Sequence, residues 1–199
     1  MLTLDQGKKA IDFSRSILLA TVTQQSYSKG NLPDVFNEPH GVFTTLHTYP
    51  SKLLRGCIGI PEPIMALKNA LVESSQSVTH DPRFPVLQAE ELDHIIVEIT
   101  ILTKPEIITS KNNEVVNTIH VGRDGLIIEQ GFFKGLLLPQ VPIEQQWDAQ
   151  TFIEHTCLKA GLPKDAWLNE NTIIKKFTGQ IFSEEKPYGA IKEKTFDES

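Results

Sequence analysis

The segment LLRGCIGI, Leu53–Ile60, contains the two side chains whose chemistry is most unusual for their setting. Arg55 and Cys57 stand two residues apart among apolar residues and glycines, a composition that predicts a half-buried β-strand. Because alternate side chains of a strand share a face, both should point to one side, roughly 6–7 Å apart. A guanidinium at that distance favours the thiolate, the nucleophilic form of cysteine. The spacing indicates Cys57 as a nucleophile or redox thiol, with Arg55 lowering its pKa or holding an anionic substrate; an inert, buried Cys57 is the alternative.

The partner of Cys57 depends on the register of a predicted hairpin whose turn is Tyr49–Lys52. A four-residue turn at this position sets Thr44 opposite Cys57 and puts His47 on the other face of the sheet. In that register no nearby base is predicted for the thiol. A shift of one residue would reverse this result, because it moves every side chain of a strand to the opposite face.

The charge of Arg55 needs a partner on a half-buried strand, either a carboxylate of the protein or an anionic ligand. A helix is predicted over residues 63–79, and its length matches that of the strand before it. The segment HDPRFP, His80–Pro85, should therefore return to the level of the first strand residues. We expect Asp81 to pair with Arg55, and Arg83 to lie nearby as a second basic group. A rigid turn without a binding role is the alternative for this segment.

A second group of candidates lies in LPQVPIEQQWD, residues 138–148, where two prolines stiffen a loop. Glu144 can serve as an acid or base if it is removed from water, and the amide of Gln140 can orient a ligand. The alternative is that both side chains accept hydrogen bonds from backbone donors at the start of a helix that begins near Asp148.

The elements that must position these residues are predicted from hydrophobic periodicity and from turn residues. Helices are predicted over residues 4–25, 63–79 and 148–160. Strands are predicted over residues 42–48, 53–60, 94–102, 118–121, 126–129, 136–138 and 172–182. Because helices and strands are segregated and the strands are joined by tight turns, we predict an α+β fold with antiparallel sheets.

The chain has 199 residues, a formal net charge of −6 and two distant cysteines, Cys57 and Cys157. The scattered basic residues argue against non-specific nucleic-acid binding, and no apolar run reaches the roughly 20 residues that cross a bilayer. No signal segment is visible over Met1–Ala20, so we expect a cytoplasmic protein with reduced thiols. No spacing typical of metal ligands or of phosphate-binding loops occurs, so we expect neither a metal nor a cofactor.

Seven short motifs connect the chain with a known family. They are GVFTTL, LRGCIG, DPRFP, EEL, LPQVP, EQQWD and KAGLPKDAW, in this order. The motifs occur in the same order in the AMME chromosomal region protein family, which the chain resembles from about Ile11 to Phe182. The resemblance implies an α+β protein of two unequal lobes, with antiparallel sheets flanked by helices and a cleft between the lobes. It implies one domain over residues 1–185, a larger lobe built from both ends of that domain, and a charged tail over residues 186–199.

The resemblance also suggests partners, because relatives are fused to, or encoded beside, Memo-type and radical-SAM proteins. One hypothesis is therefore a binding or accessory component that meets such a partner through a cleft lined by LRGCIG, and an oligomer is compatible with it. The other is an enzyme, in RNA or protein modification, in which Cys57 and Arg55 act and Asp81, Arg83, Gln140 and Glu144 bind the substrate. The chain departs from the family at Asp124, since relatives often have histidine in this turn.

Overall fold

The structure is a computed structural model that describes residues 2–28, 30–110 and 114–194. It combines α-helices with antiparallel strand pairs in two sheets, so the predicted α+β class is confirmed. The α-helices are α1 (Leu4–Thr23), α2 (Leu67–Val78), α3 (Glu114–Asn117), α4 (Gln140–Glu144) and α5 (Ala149–Lys159). The strands are β1 (Gly41–Thr48), β2 (Leu54–Ile60), β3 (Ile95–Leu102), β4 (Glu106–Ile107), β5 (Gly125–Gln130), β6 (Phe133–Leu137), β7 (Ile173–Phe177), β8 (Gly179–Glu184) and β9 (Ile191–Lys194). Short 3-10 helices lie at Asp34–Asn37, Ala89–His94 and Ala166–Leu168.

The chain divides into two compact units, and the first draws on both of its ends. This unit comprises the residues up to Lys104 together with Gln180–Lys194. Its five-stranded sheet has the order β2–β1–β3–β8–β9, so β2 lies at an edge. Helix α2 packs on β1 and β2, and α1 packs on α2 and β3. The core between the helices and the sheet includes Val42, Leu46 and Val97, which are fully buried.

The second unit, Pro105–Gly179, has its own four-stranded sheet and its own core. The strand order is β4–β7–β5–β6, and every neighbouring pair is antiparallel. Helix α5 packs on β5 and β6. The buried side chains of this unit include Ile128, Phe152 and Trp167. No helix in the described part of the chain has both the length and the apolar character needed to span a membrane.

Two helix starts show how local sequence sets the elements. At α1 the Thr3 hydroxyl accepts a hydrogen bond from the Gln6 N–H while the Gln6 side chain accepts one from the Thr3 N–H, which forms a capping box. At α5 the Asp148 carboxylate accepts a hydrogen bond of 2.7 Å from the Thr151 N–H, as the sequence predicted. Helix α2 begins four residues later than predicted, because the backbone at Ala66 is not helical and this residue forms a β-bridge with Pro39.

Several elements of the second half of the chain differ from the prediction. Residues 118–121, predicted as a strand, form a turn, and the hairpin of this unit is instead β5–β6 around Gly131. The segment predicted as one strand over 172–182 is two strands, β7 and β8, which belong to different sheets. The predicted loop at LPQVP contains α4, whose Pro142 lies in the first turn, where a helix does not need the backbone N–H. In the expected charged tail, Ile191–Lys194 pairs with β8 as strand β9.

Candidate functional site

Strand β2 carries one extra residue at Arg55, and this bulge decides which side chains share a face. His47 lies opposite Leu54, as predicted, but the next residue of β1, Leu46, lies opposite Gly56. Leu46 and His47 are adjacent on β1, but their partners Gly56 and Leu54 are two residues apart on β2. The extra residue between those partners forms a β-bulge. Beyond the bulge the register is shifted by one residue. Cys57 consequently pairs with Thr45, and the predicted pairing of Cys57 with Thr44 is wrong.

The bulge places the Cys57 thiol on the sheet face that carries Thr45. The Thr45 hydroxyl donates a hydrogen bond of 3.4 Å to Cys57 Sγ. Gly56 faces the other side, where an added Cβ would lie 3.0 Å from Val78 Cγ2 of α2. His47 is two residues from Thr45 on β1 and therefore shares its face. The prediction that His47 and Cys57 lie on opposite faces is thus wrong.

Arg55 is neutralised within the protein, but by a different carboxylate from the predicted one. Its side chain is 11% exposed and donates two hydrogen bonds, of 2.7 and 2.9 Å, to the carboxylate of Glu91. A third bond of 2.9 Å goes to the Pro85 carbonyl, and the Phe84 ring lies 5.9 Å from the guanidinium. The expected Arg55–Asp81 pair is wrong, because the bulge directs Arg55 to the Ala89–His94 helix.

Sequence reasoning missed Glu91, although a local signal was available. Its carboxylate accepts a hydrogen bond of 2.9 Å from the Gln88 N–H, and the two residues form a reciprocal cap at the start of the 3-10 helix. A polar residue followed three positions later by glutamate is the pattern of such a cap. The bonds from Arg55 lower the pKa of Glu91 below its ordinary value and outweigh the opposing effect of burial. Glu91 is therefore ionised at neutral pH.

Asp81 clamps the HDPRFP segment onto the edge of the sheet. Its buried carboxylate accepts hydrogen bonds from the Cys57 N–H (2.9 Å) and from the Arg83 N–H (3.1 Å). The Arg83 guanidinium donates two more, of 3.0 and 2.7 Å, which hold the pKa of Asp81 well below its usual range. Arg83 also donates a bond of 3.0 Å to the Cys57 carbonyl. The outer backbone groups of the edge strand are thus satisfied at Cys57.

The environment of Cys57 disfavours its thiolate. Burial is the largest influence and raises the pKa of the thiol above its ordinary value. The hydrogen bond from Thr45 and the charge of Arg83 act in the opposite direction, but they only partly offset burial. Arg55, which was expected to lower this pKa, is bound to Glu91 instead. The thiol is therefore protonated at neutral pH.

A row of polar side chains extends from Cys57 across the sheet face. Thr45 of the middle strand β1 pairs with Cys57 of β2 and with Glu98 of β3, so the three side chains lie on the same face of the sheet. The buried Glu98 carboxylate accepts a bond of 2.7 Å from Lys194 Nζ, and His47 Nε2 lies 3.8 Å from it. Burial raises the pKa of Glu98, but the contacts with His47 and Lys194 outweigh it, so the pKa lies below its ordinary value. Only the place of Cys57 in this row depends on the bulge, and for that reason the sequence pattern did not predict it.

Gln140 and Glu144 belong to the second unit, where they lie at the two ends of α4. The Oε1 atom of Gln140 is buried and has no hydrogen-bond partner among the described residues. The Glu144 side chain is exposed. Neither caps α5, since Asp148 fills that role, so the structural alternative for these two residues is wrong. Arg55, Cys57, Asp81 and Arg83 are brought together in the first unit.

Asp124, the position of departure from the family pattern, closes a turn in the second unit. Its buried carboxylate accepts bonds from the His120 N–H (3.0 Å) and from the Arg123 guanidinium (2.7 and 3.1 Å). Burial raises the pKa of Asp124, but these bonds outweigh it and the pKa lies below the ordinary value. Within the residues that the structure describes, no three His, Cys, Asp or Glu side chains are grouped as metal ligands.

Comparison with known proteins gives a consistent result over almost the whole chain. The AMMECR1 family model matches residues 11–182. Protein MJ0810 of Methanocaldococcus jannaschii is 51% identical over 196 residues, which cover 98% of each chain. A protein of Methanococcus aeolicus is 48% identical over 96% of this chain and 98% of its own. The crystal structure of Uncharacterized Protein PH0010 from Pyrococcus horikoshii superposes with a TM-score of 0.85, at 44% identity, over 96% of this chain and 97% of that one. The chain belongs to the AMMECR1 family.

Proposed function

We propose that this protein is a cytoplasmic binding or accessory component that docks on a partner enzyme through the surface beside LRGCIG. The observation that carries the proposal is a contrast within this motif. Its one charged side chain, Arg55, is paired inside the protein and its thiol is protonated, whereas Leu54 at its start and the preceding Leu53 face solvent. The motif therefore offers a contact surface more readily than it offers a reactive group.

We define the motif surface by Leu53, Leu54, Arg83 and Val86. Leu53 is 67% exposed, Leu54 is 42% exposed and Val86 is 50% exposed. The bond from Arg55 to the Pro85 carbonyl links the segment that carries Leu54 to the segment that carries Val86. Exposed apolar side chains can supply the apolar part of a protein interface, and arginine is enriched at interfaces and among the residues that contribute most of the binding energy.

The motif surface is held rigid before any partner arrives. Asp81 fixes the HDPRFP segment to β2, and Glu91 fixes Arg55. A partner that binds here loses little additional conformational entropy from this side of the interface. Because the outer backbone groups at Cys57 are already bonded, the partner is read by side chains and not by addition of a strand.

The partner class comes from the family resemblance, which points to Memo-type and radical-SAM proteins. We propose that one of these binds the motif surface. The test uses the purified full chain and a purified Memo-type or radical-SAM protein from the same genome, with affinity measured by titration calorimetry. Leu53→Asp should weaken binding by roughly 30-fold or more, which is the effect of removing a central interface residue.

The matched control is Leu19→Asp on α1, because Leu19 is also exposed (49%) and lies in the same unit. This change should alter the affinity less than twofold, as expected for a residue outside the interface. Failure of both partner classes to bind would refute the partner assignment. Equal binding of Leu53→Asp and the wild type would refute the role of the motif surface.

The second candidate is an enzyme in RNA or protein modification, with Cys57 as nucleophile or redox thiol. The observation in its favour is that His47 and Glu98 share the sheet face of Cys57, so a base lies on the same side as the thiol. In this candidate Arg55 would hold an anionic substrate, with Asp81 and Arg83 beside it in the first unit. This role requires Cys57 to be ionised during the reaction, against the effect of burial.

Alkylation of Cys57 by iodoacetamide as a function of pH separates the two candidates. The measurement uses the Cys157→Ala variant, so that one thiol remains, and Cys57→Ser as the blank. The binding role predicts that the midpoint of the rate lies above about 8.5, the ordinary thiol pKa. A midpoint well below that value would establish a reactive thiol and favour the enzyme.

A further inference from the structure

A groove of about 390 Å³ lies in the first unit and is lined by residues of α1 and α2 and of the segments next to them. Its volume falls within the range of small-molecule sites in proteins. The apolar part of its wall comes from α1, the segment after it, the residues just before α2, and α2 itself, and consists of Phe13, Tyr27, Leu32, Met65 and Val72. The Phe13 and Tyr27 rings meet edge to face, with centroids 5.9 Å apart, so the aromatic wall is ordered by its own contacts.

One helix supplies the polar part of the groove. Asn69, Glu73 and Gln76 follow each other at spacings of four and three residues on α2, so they form one continuous edge. All three are exposed, and the described residues give their side chains no hydrogen-bond or ion-pair partner. The edge therefore presents a carboxylate between two amides to whatever enters the groove.

The ammonium group in the wall does not neutralise this carboxylate. Lys68 Nζ donates a hydrogen bond of 2.7 Å to Asn37 Oδ1, away from Glu73. Lys68 and Glu73 both line the groove, but they are five positions apart on α2, a spacing at which two side chains are not direct neighbours on a helix. An occupant of the groove therefore meets an apolar wall, the Glu73 carboxylate, which has no ion-pair partner among the described residues, and the Lys68 ammonium, which is bonded to Asn37.

We propose that this groove binds a small organic cation, a planar apolar body that carries a protonated amine or amidine. The apolar body packs against Phe13, Met65 and Val72, and the cationic group donates hydrogen bonds to Glu73. Amidine and primary amine groups have several N–H donors, so they can also reach the amide oxygens of Asn69 or Gln76. A carboxylate ligand of the same shape is repelled, because its oxygens would face the Glu73 oxygens. The groove shares no residue with the motif surface, so this proposal is independent of the partner interaction.

The test uses three probes of nearly equal shape, which are benzamidine, neutral benzamide and anionic benzoate, added to the ¹⁵N-labelled full chain. A fragment of this size should bind with a dissociation constant of about 1–10 mM. We expect benzamidine to shift the amide signals of Phe13, Asn69, Val72 and Glu73, benzamide to bind more weakly and benzoate to cause no shift. The order of affinity is the signature of a cation site.

Two variants decide whether the named residues make the site. Glu73→Gln removes the charge but keeps the shape, and it should weaken benzamidine binding about tenfold, the difference between charged and neutral hydrogen bonds. Val72→Phe fills the groove and should abolish binding of all probes, with circular dichroism confirming the fold. Asp93→Asn removes an exposed carboxylate elsewhere in the unit and should change nothing.

Three outcomes would overturn the proposal. The first is no signal change with benzamidine at about 10 mM, the weak limit for such a fragment. The second is equal binding of benzamidine and benzoate, which would show that charge is not recognised. The third is unchanged benzamidine affinity in Glu73→Gln.

Discussion

Two buried aspartates, one in each unit, are held by nearly the same local chemistry. Asp81 and Asp124 each have a side chain that is only 1% exposed, and each is paired with an arginine one or two residues away in the chain. The two arginine side chains, Arg83 and Arg123, are 54% and 55% exposed. In both turns an aspartate paired with arginine accepts a hydrogen bond from a backbone N–H. The two turns therefore share the same pair of residue types and nearly the same exposure of each side chain.

The difference lies in what the aspartate connects. Asp81 accepts the N–H of Cys57, which is 24 residues away on the edge strand β2. Asp124 accepts the N–H of His120, four residues away in its own turn. Asp81 therefore joins two elements of the first unit, whereas Asp124 only closes a loop. The same pair of residue types becomes a clamp or a local cap according to the partner that the fold supplies.

The largest effect should come from removing the two carboxylate charges. Asp81→Asn loses the ion pair with Arg83 and leaves the Cys57 N–H with a poorer acceptor, so we expect about 2–3 kcal/mol of lost unfolding free energy at pH 7. Asp124→Asn should cost about 1 kcal/mol, since its turn is local. Urea unfolding followed by far-ultraviolet circular dichroism measures both.

Tryptophan fluorescence provides a control for this pair of variants. Trp147 and Trp167, the two tryptophans of the chain, lie in the second unit. Asp124→Asn should therefore move the fluorescence transition, while Asp81→Asn should show its main effect in the dichroism signal. Equal losses for the two variants would mean that the long connection of Asp81 adds nothing to stability.

The same comparison extends to pH. Both aspartates have pKa values below the ordinary one, so their contribution is complete above the unfolded pKa of about 3.9 and is lost as pH falls towards the folded pKa. Between about pH 5 and pH 2 the wild type should lose unfolding free energy faster than Asp81→Asn. The difference in unfolding free energy between the wild type and Asp124→Asn should decrease less over this range than the difference for Asp81→Asn. Unfolding measured at a series of acidic pH values tests this. A constant gap between the wild type and Asp81→Asn down to pH 2 would contradict a depressed pKa.

The first unit was easier to predict than its site. Hydrophobic patterning and turn residues located β1, β2 and β3 to within one residue of their observed bounds, since β1 alternates apolar and polar residues and β3 is a nearly continuous apolar run that is buried throughout. A bulge, in contrast, changes no residue type, and LLRGCIGI has the same pattern with or without an extra residue at Arg55. The faces of Cys57 and His47 depend on that one residue, so they could not be deduced from the pattern.

The lengths of the predicted elements were not enough to identify the partners of the charged residues. The matching lengths of helix and strand correctly predicted that HDPRFP returns to β2, and Asp81 does bind there. The lengths of the helix and the strand determine how far along β2 the segment returns, but they do not determine which carboxylate binds which guanidinium. Arg55 and Arg83 have two acidic candidates, Asp81 and Glu91, only ten residues apart. In the second unit, the prolines around Gln140 concealed α4 because they usually exclude helix.

A glycine lies near each aspartate, and alanine at these two glycines should destabilise the second unit more than the first, the opposite of the order expected for the aspartate variants. A Cβ at Gly125, next to Asp124, would overlap the buried Phe177 ring, so Gly125→Ala should cost about 2 kcal/mol. At Gly56, near Asp81, the added atom would lie 3.0 Å from Val78 Cγ2, so Gly56→Ala should cost about 1 kcal/mol. Thermal unfolding of both variants measures the difference. A greater loss in Gly56→Ala would show that the clamp in the first unit tolerates less displacement than the contacts indicate.

The smallest effect should come from exchanging the arginines for lysine, which keeps the charge but removes the fork of N–H donors. Arg83 bonds both Asp81 and the Cys57 carbonyl, whereas Arg123 bonds only Asp124 among the described residues. Because both side chains are half exposed and screened by water, we expect about 1 kcal/mol for Arg83→Lys and about 0.5 kcal/mol for Arg123→Lys. Amide exchange of Cys57 provides the more specific readout, since only Arg83→Lys loosens the segment that protects this N–H. If Cys57 exchanges equally slowly in both variants, Asp81 holds the edge strand without help from Arg83, and the clamp consists of the carboxylate alone.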